Sequence, residues 1–110
     1  MAGVTDQDDL GRVVDLLTRQ VSHWQAPRWS APAAAGDGTR GDAVHRLVQR
    51  LADLAADVEG RVRQEVPRLD NDTSLPDQLR VVAADLVAAG PSPEVLVAAA
   101  GDVAGVRAVL

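Results

Sequence analysis

The chain has 110 residues, a formal net charge of −5, no cysteine and no lysine. That length suits one domain, in which folding hides roughly 65% of the surface an unfolded chain exposes. The acidic balance, with arginines interleaved among Asp and Glu, argues against a nucleic-acid backbone or an anionic membrane as partner, and the missing cysteines exclude disulfides, thiolate metal sites and a cysteine nucleophile.

Thr5 followed by Asp8 is a capping box in its aspartate form, and Asp6, Asp8 and Asp9 put negative charge where a helix N-terminus favours it. The spacing of Leu10, Val13, Val14, Leu17, Val21 and Trp24 then predicts a first helix over about 6–25. Residues 26–41 shift to Pro, Ala, Gly and Ser and read as a long linker. Its first half is held against the core by Trp29, and its second half reads as mobile.

The longest helical pattern follows. Val44, Leu47, Leu51, Leu54, Val58, Val62, Val66 and Leu69 step by threes and fours, predicting a second helix over about 43–66, capped by Thr39 or Asp42 and stopped by Pro67. Gly60 reads as an interior residue costing about 1 kcal/mol. Ser74, Pro76 and Asp77 start a third helix over about 75–89, and Ser92, Pro93 and Glu94 start a fourth over about 93–109. The last two are joined so briefly that they must form either an antiparallel hairpin or a sharper corner.

The fourth helix is unusual. Leu96, Ala99, Val103, Val106 and Leu110 make its large-residue face, yet the other side carries Ala98, Gly101, Gly105 and Ala108 where charges are expected, with a milder version in Val81, Ala84 and Ala88 of the third. A helix apolar nearly all round is buried or meets a partner.

Four patterns touch on chemistry. Gly36, Gly38 and Gly41 spell G-x-G-x-x-G before a helix, but no strand precedes them, so the phosphate-binding reading lacks its context. Asp70, Asp72 and Ser74 open a calcium-loop pattern that fails at Leu75 and Val81. His23 and His45 have no ligand neighbour at helical spacing and read as surface histidines. Glu65, on the apolar side of the second helix, and Arg107, on that of the fourth, are candidates for a buried polar pair.

The expected fold is all-α, a small, mostly antiparallel four-helix bundle in a single domain spanning 1–110. The leading functional expectation is a non-enzymatic protein–protein interaction module, with a homodimer as one form of it, binding through Ala98, Gly101, Gly105 and Ala108, with Trp24 and Trp29 beside Arg28 as a second candidate surface. Alternatives are a small-molecule or catalytic bundle using Glu65 and Arg107, and a helix-turn-helix DNA-binding regulator made of the last two helices, whose Glu94, Val95, Leu96 and Val97 are poor groove readers. No cofactor, nucleic acid or membrane is expected as a partner. The opening decapeptide lacks the basic and apolar regions of a leader, making the cytoplasm the expected location.

Overall fold

The computed structural model describes residues 5–110, so the reading of the opening four residues lies outside the described residues. The described residues are all-α: α1 (Asp6–Val21), the short α2 (Ala26–Trp29), α3 (Arg40–Glu59), α4 (Leu75–Ala88) and α5 (Pro93–Arg107), with a 3-10 turn at Asp72–Ser74 before α4. Among them no helix is long and apolar enough to cross a membrane.

Local chemistry explains most of the starts. Thr5 Oγ1 accepts from the Asp8 N–H at 3.0 Å, and Ser92 caps α5 through Val95. Thr39 and Asp42 form a complete capping box: Thr39 N–H donates to Asp42 Oδ2 and Asp42 N–H donates to Thr39 Oγ1. Ser74 does not cap α4 as expected. Its hydroxyl donates to Asn71 O at 2.7 Å, and Asn71 caps the preceding turn by accepting from Thr73 N–H.

The first helix ends at Val21, four residues before the expected stop, and the chain folds back through α2. Trp24 and Trp29 thereby meet edge to face, with ring centroids 5.1 Å apart, and both are buried. The rest of the linker is a closed loop rather than a mobile one: Pro32 and Thr39 form an antiparallel bridge, Arg40 N–H donates to Ala31 O, and Ala34 N–H donates to Val109 O beyond α5.

The largest departure lies in the second predicted helix. It stops at Glu59, and Gly60 takes a left-handed conformation (φ 69°, ψ 24°), so its N–H donates to Ala56 and Asp57 carbonyls while Arg61 N–H donates to Ala56 O. This is a Schellman closure, which favours a residue without Cβ. Residues 61–69 have no regular secondary structure, and Val62 and Leu69, expected on the buried stripe, are 83% and 47% exposed.

The core is built almost wholly from Leu, Val and Ala, with the indoles at one end. The most extensive helix contacts are α3 with α4 and α1 with α5, and α1 with α4 and α3 with α5 close the ring. The smallest dimension of 22 Å corresponds to two layers of helices, each about 10 Å across. Although only Ala89–Ser92 join them, α4 and α5 share no extensive face, so their connection is a corner rather than a packed hairpin. One polar residue enters the core: Thr18 accepts from Arg80 at 2.6 Å and donates to Asp15 O, while Arg80 also reaches Asp15.

Two glycines separate conformational need from mere tolerance. Gly60→Ala is expected to destabilise the fold by about 1–2 kcal/mol through left-handed strain, whereas Gly11→Ala, in the α1 interior with open space around its Cβ position, should stabilise by up to about 1 kcal/mol. Urea unfolding of both variants checks the opposite signs.

Candidate functional site

Three regions emerge where the sequence placed candidate residues: the strap of residues 61–69, the outer face of α5, and the indole pair.

The strap is held by side chains of α3 that substitute for backbone partners. Gln49 acts as a two-pronged amide: its Nε2 donates to Gln64 O at 3.0 Å, and its Oε1 accepts from Val66 N–H at 2.7 Å. His45 Nε2 donates to Val66 O at 3.1 Å, and Gln78 of α4 donates to Pro67 O. Arg63 grips Asp57 with two hydrogen bonds, of 3.0 and 2.7 Å, and Arg68 bridges Asp42 and Asp72. Arg63, four residues after Glu59 but beyond the end of the helix, pairs with Asp57, and Glu59 pairs with Arg61.

Electrostatics follow these contacts. The Asp42 carboxyl lies below its usual value of 3.8, chiefly because it accepts from the Thr39 N–H and next because of Arg68. Hydrogen bonding to Arg63 likewise lowers Asp57 and raises Arg63, and Asp72 and Asp42 raise Arg68. The third glycine of the G-x-G-x-x-G run acquires a structural role here. Gly41 is buried, and a Cβ on it would collide with the Asp72 carboxylate and crowd the Arg68 guanidinium, so the strap's ion pairs rest directly on α3 backbone. Asp70, Asp72 and Ser74 do not converge as a calcium loop: Asp72 is held by Arg68, and Ser74 is turned to Asn71. Among the described residues no group of three or more His, Asp and Glu side chains is placed to hold a metal.

Glu65 and Arg107 are not brought together. Glu65 is exposed on the strap, at the rim of shallow clefts that also include His45, Gln49, Arg63 and Val66, while Arg107 is exposed near the end of α5. His23 is exposed after α1, and His45 is engaged by the strap.

On α5, Leu96, Ala99, Ala100 and Val103 are buried and Val106 and Leu110 partly so, whereas Ala98, Gly101, Gly105 and Ala108 all face outward. Val97, 60% exposed, and Ala104 belong to the same outer face. The alternation of sizes hid Val97 from the sequence reading, although a 100° step per residue places it beside Gly101. Built Cβ atoms on Gly101 and Gly105 meet nothing within 4 Å, so no neighbour within the chain requires glycine there. Both border a groove of about 410 Å³ between α5 and α3, with Arg46 and Leu47 on its far side and the Arg50–Asp102 ion pair spanning it.

The indoles are 5% and 1% exposed. What reaches solvent around them is arginine: the Arg28 and Arg40 guanidinium carbons lie 4.7 and 5.2 Å from the centroid of Trp24. Arg40 was invisible as a neighbour of Trp24 because the linker separates them in sequence.

No protein-family model, curated protein or solved structure matches this chain.

Two outcomes test the strap's anchoring. Gln49→Ala removes both hydrogen bonds to the strap, each contributing about 1 kcal/mol, and amide exchange at Val66 is expected to accelerate about tenfold or more while exchange at Leu51 stays slow. Because the pKa of Asp42 is depressed in the folded state, its contribution is fully present above 3.8 and is lost as the pH falls through the folded value. Stability should therefore drop from about pH 4 downward, and Asp42→Asn should flatten part of that slope in unfolding measured from pH 6 to pH 2.

Proposed function

We propose that this chain is a non-enzymatic protein–protein interaction module that pairs with a second copy of itself through the outer face of α5. One observation carries the reading: Gly101 and Gly105 lie in a helix interior, where each costs about 1 kcal/mol relative to Ala, and among the described residues no atom from outside α5 lies within 4 Å of where a Cβ would stand on either. A helix packed against this face from outside would give both a purpose, since small residues let backbones approach closely.

The face also suits its own copy. In an antiparallel pairing about a two-fold axis at Gly101, Val97 of one chain opposes Gly105 of the other and Ala98 opposes Ala104, so the large exposed residue meets the smallest one. Glu94 and Arg107, neither ion-paired within the chain among the described residues, fall at opposite ends of α5. By the 100° step Glu94 lies on the outer face but Arg107 on the side of Leu96 and Val103, so the pairing rests on shape rather than on charge. One helix pair buries less than the roughly 1,200–2,000 Å² of a stable interface, so the association is concentration-dependent.

The alternatives gain less from the geometry. The Glu65 and Arg107 pair is apart, and the corner between α4 and α5 keeps a helix-turn-helix outline, but Glu94, Val95, Leu96 and Val97 at the start of α5 offer no groove-reading donors.

Gly105→Leu, with open space around it, should keep the helical content, leave the unfolding midpoint of the monomer equal or higher, and weaken dimerisation by about tenfold or more, corresponding to roughly 1.4 kcal/mol. Sedimentation across about 1 μM to 1 mM protein reads the result. A wild-type chain that stays monomeric over that range removes the homodimer.

A further inference from the structure

We propose that Arg28 and Arg40, stacked on Trp24, form a binding site for an oxyanion: a carboxylate or phosphate group presented by a ligand or a partner. Most arginines in this chain are already neutralised, for Arg12, Arg19, Arg50, Arg61, Arg63, Arg68 and Arg80 all hold a carboxylate. Arg28 and Arg40 hold none among the described residues, in a molecule whose net charge of −5 makes acidic partners plentiful.

Their hydrogen-bonding capacity is equally unspent. A guanidinium offers five N–H donors, yet the Arg40 side chain makes one bond, from Nη1 to Arg28 O at 3.4 Å, and its Nε is buried without an acceptor. Trp24 Nε1 and Trp29 Nε1 are likewise buried and unpartnered. The chain's other such atom among the described residues is Gln78 Oε1, an acceptor, so the orphaned donors gather in one place. Buried donors without acceptors are rare in folded proteins, and a cluster of them marks where an acceptor is missing.

The cluster is also set up to receive one. The Trp24 ring attracts both guanidiniums by cation–π interaction, which positions them before any ligand arrives. Two like charges beside one ring repel each other, and an oxyanion held by these guanidiniums would relieve that repulsion while accepting paired N–H bonds, the mode in which arginine recognises carboxylate and phosphate best. Arg28 is exposed and Arg40 half-buried, which leaves both within reach of solvent. The nearby cleft along Ala26, Pro27 and Ser30 carries Asp70 and Asp72, and Asp72 is already held by Arg68. The site rests on different residues from the α5 face, and its test does not depend on dimerisation.

Trp24 and Trp29 are the only aromatic residues, so tryptophan emission and the two indole N–H resonances report on this site directly. The full-length chain is titrated with inorganic phosphate and, separately, with acetyl-Glu-Glu-amide, ionic strength being held constant with sodium chloride. The expected result is a saturable change with at least one probe and none with chloride. The midpoint should shift upward about tenfold or more in Arg40→Gln and Arg28→Gln and stay put in Arg107→Gln; the probe that saturates tells phosphate from carboxylate. Absence of a saturable response to both probes, or an unchanged midpoint in Arg28→Gln, overturns the proposal. If Arg40→Gln loses helical content, Arg28→Gln decides alone, because its side chain is exposed.

Discussion

The path of the chain turns on the left-handed backbone of Gly60. Had α3 continued, its apolar stripe would have run on through Val62 and Val66, and no segment would have crossed from α3 to α4. By stopping the helix with a Schellman closure, Gly60 sends the next residues over the outside of the pair. That detour leaves backbone groups without helical partners, and α3 supplies replacements from Gln49 and His45. The strap then delivers Arg68 to Asp42 and Asp72, close enough that a Cβ at position 41 would push against the Arg68–Asp72 ion pair. A single backbone conformation thus determines which polar side chains of α3 are structural.

Much of the architecture was legible because it rests on short-range rules. The helix starts at Thr5, Thr39 and Ser92 depend on residues three apart, and the buried positions of α1, α3, α4 and α5 follow their period. The end of α3 was misread because Val62, Val66 and Leu69 keep the helical spacing by coincidence, and because glycine is both a poor interior residue and a good terminator. Periodicity cannot separate those roles; the left-handed φ does. Ser74 failed as a cap for a related reason, since Asn71 upstream is an equally good one and started the turn first.

Candidate functional residues were legible to a different degree. The small outer face of α5 needed only a helical wheel, and its exposure follows from the burial of Leu96, Ala99 and Val103 opposite. The arginines over Trp24 needed long-range placement, because the loop that returns Arg40 to the indoles is closed by the bridge between Pro32 and Thr39 and by Ala34 bonding to Val109. No local pattern encodes that return. Together they place an uncharged face on one helix and a concentrated positive charge around one aromatic ring, within a chain that is acidic elsewhere.

Thr18 has a consequence for uniqueness. Interfaces made of Leu, Val and Ala are smooth, and such surfaces tolerate several ways of sliding past each other at similar energy. Sliding α4 by one turn along α1 would carry Arg80 about 5.4 Å away and break its bonds to Thr18 and Asp15, leaving Thr18 bonded only to Asp15 O and Asp15 only to Arg19. The apolar contacts would survive that slip; the polar ones would not. In a core this plain, one buried threonine discriminates between neighbouring registers that hydrophobic burial alone would leave nearly degenerate.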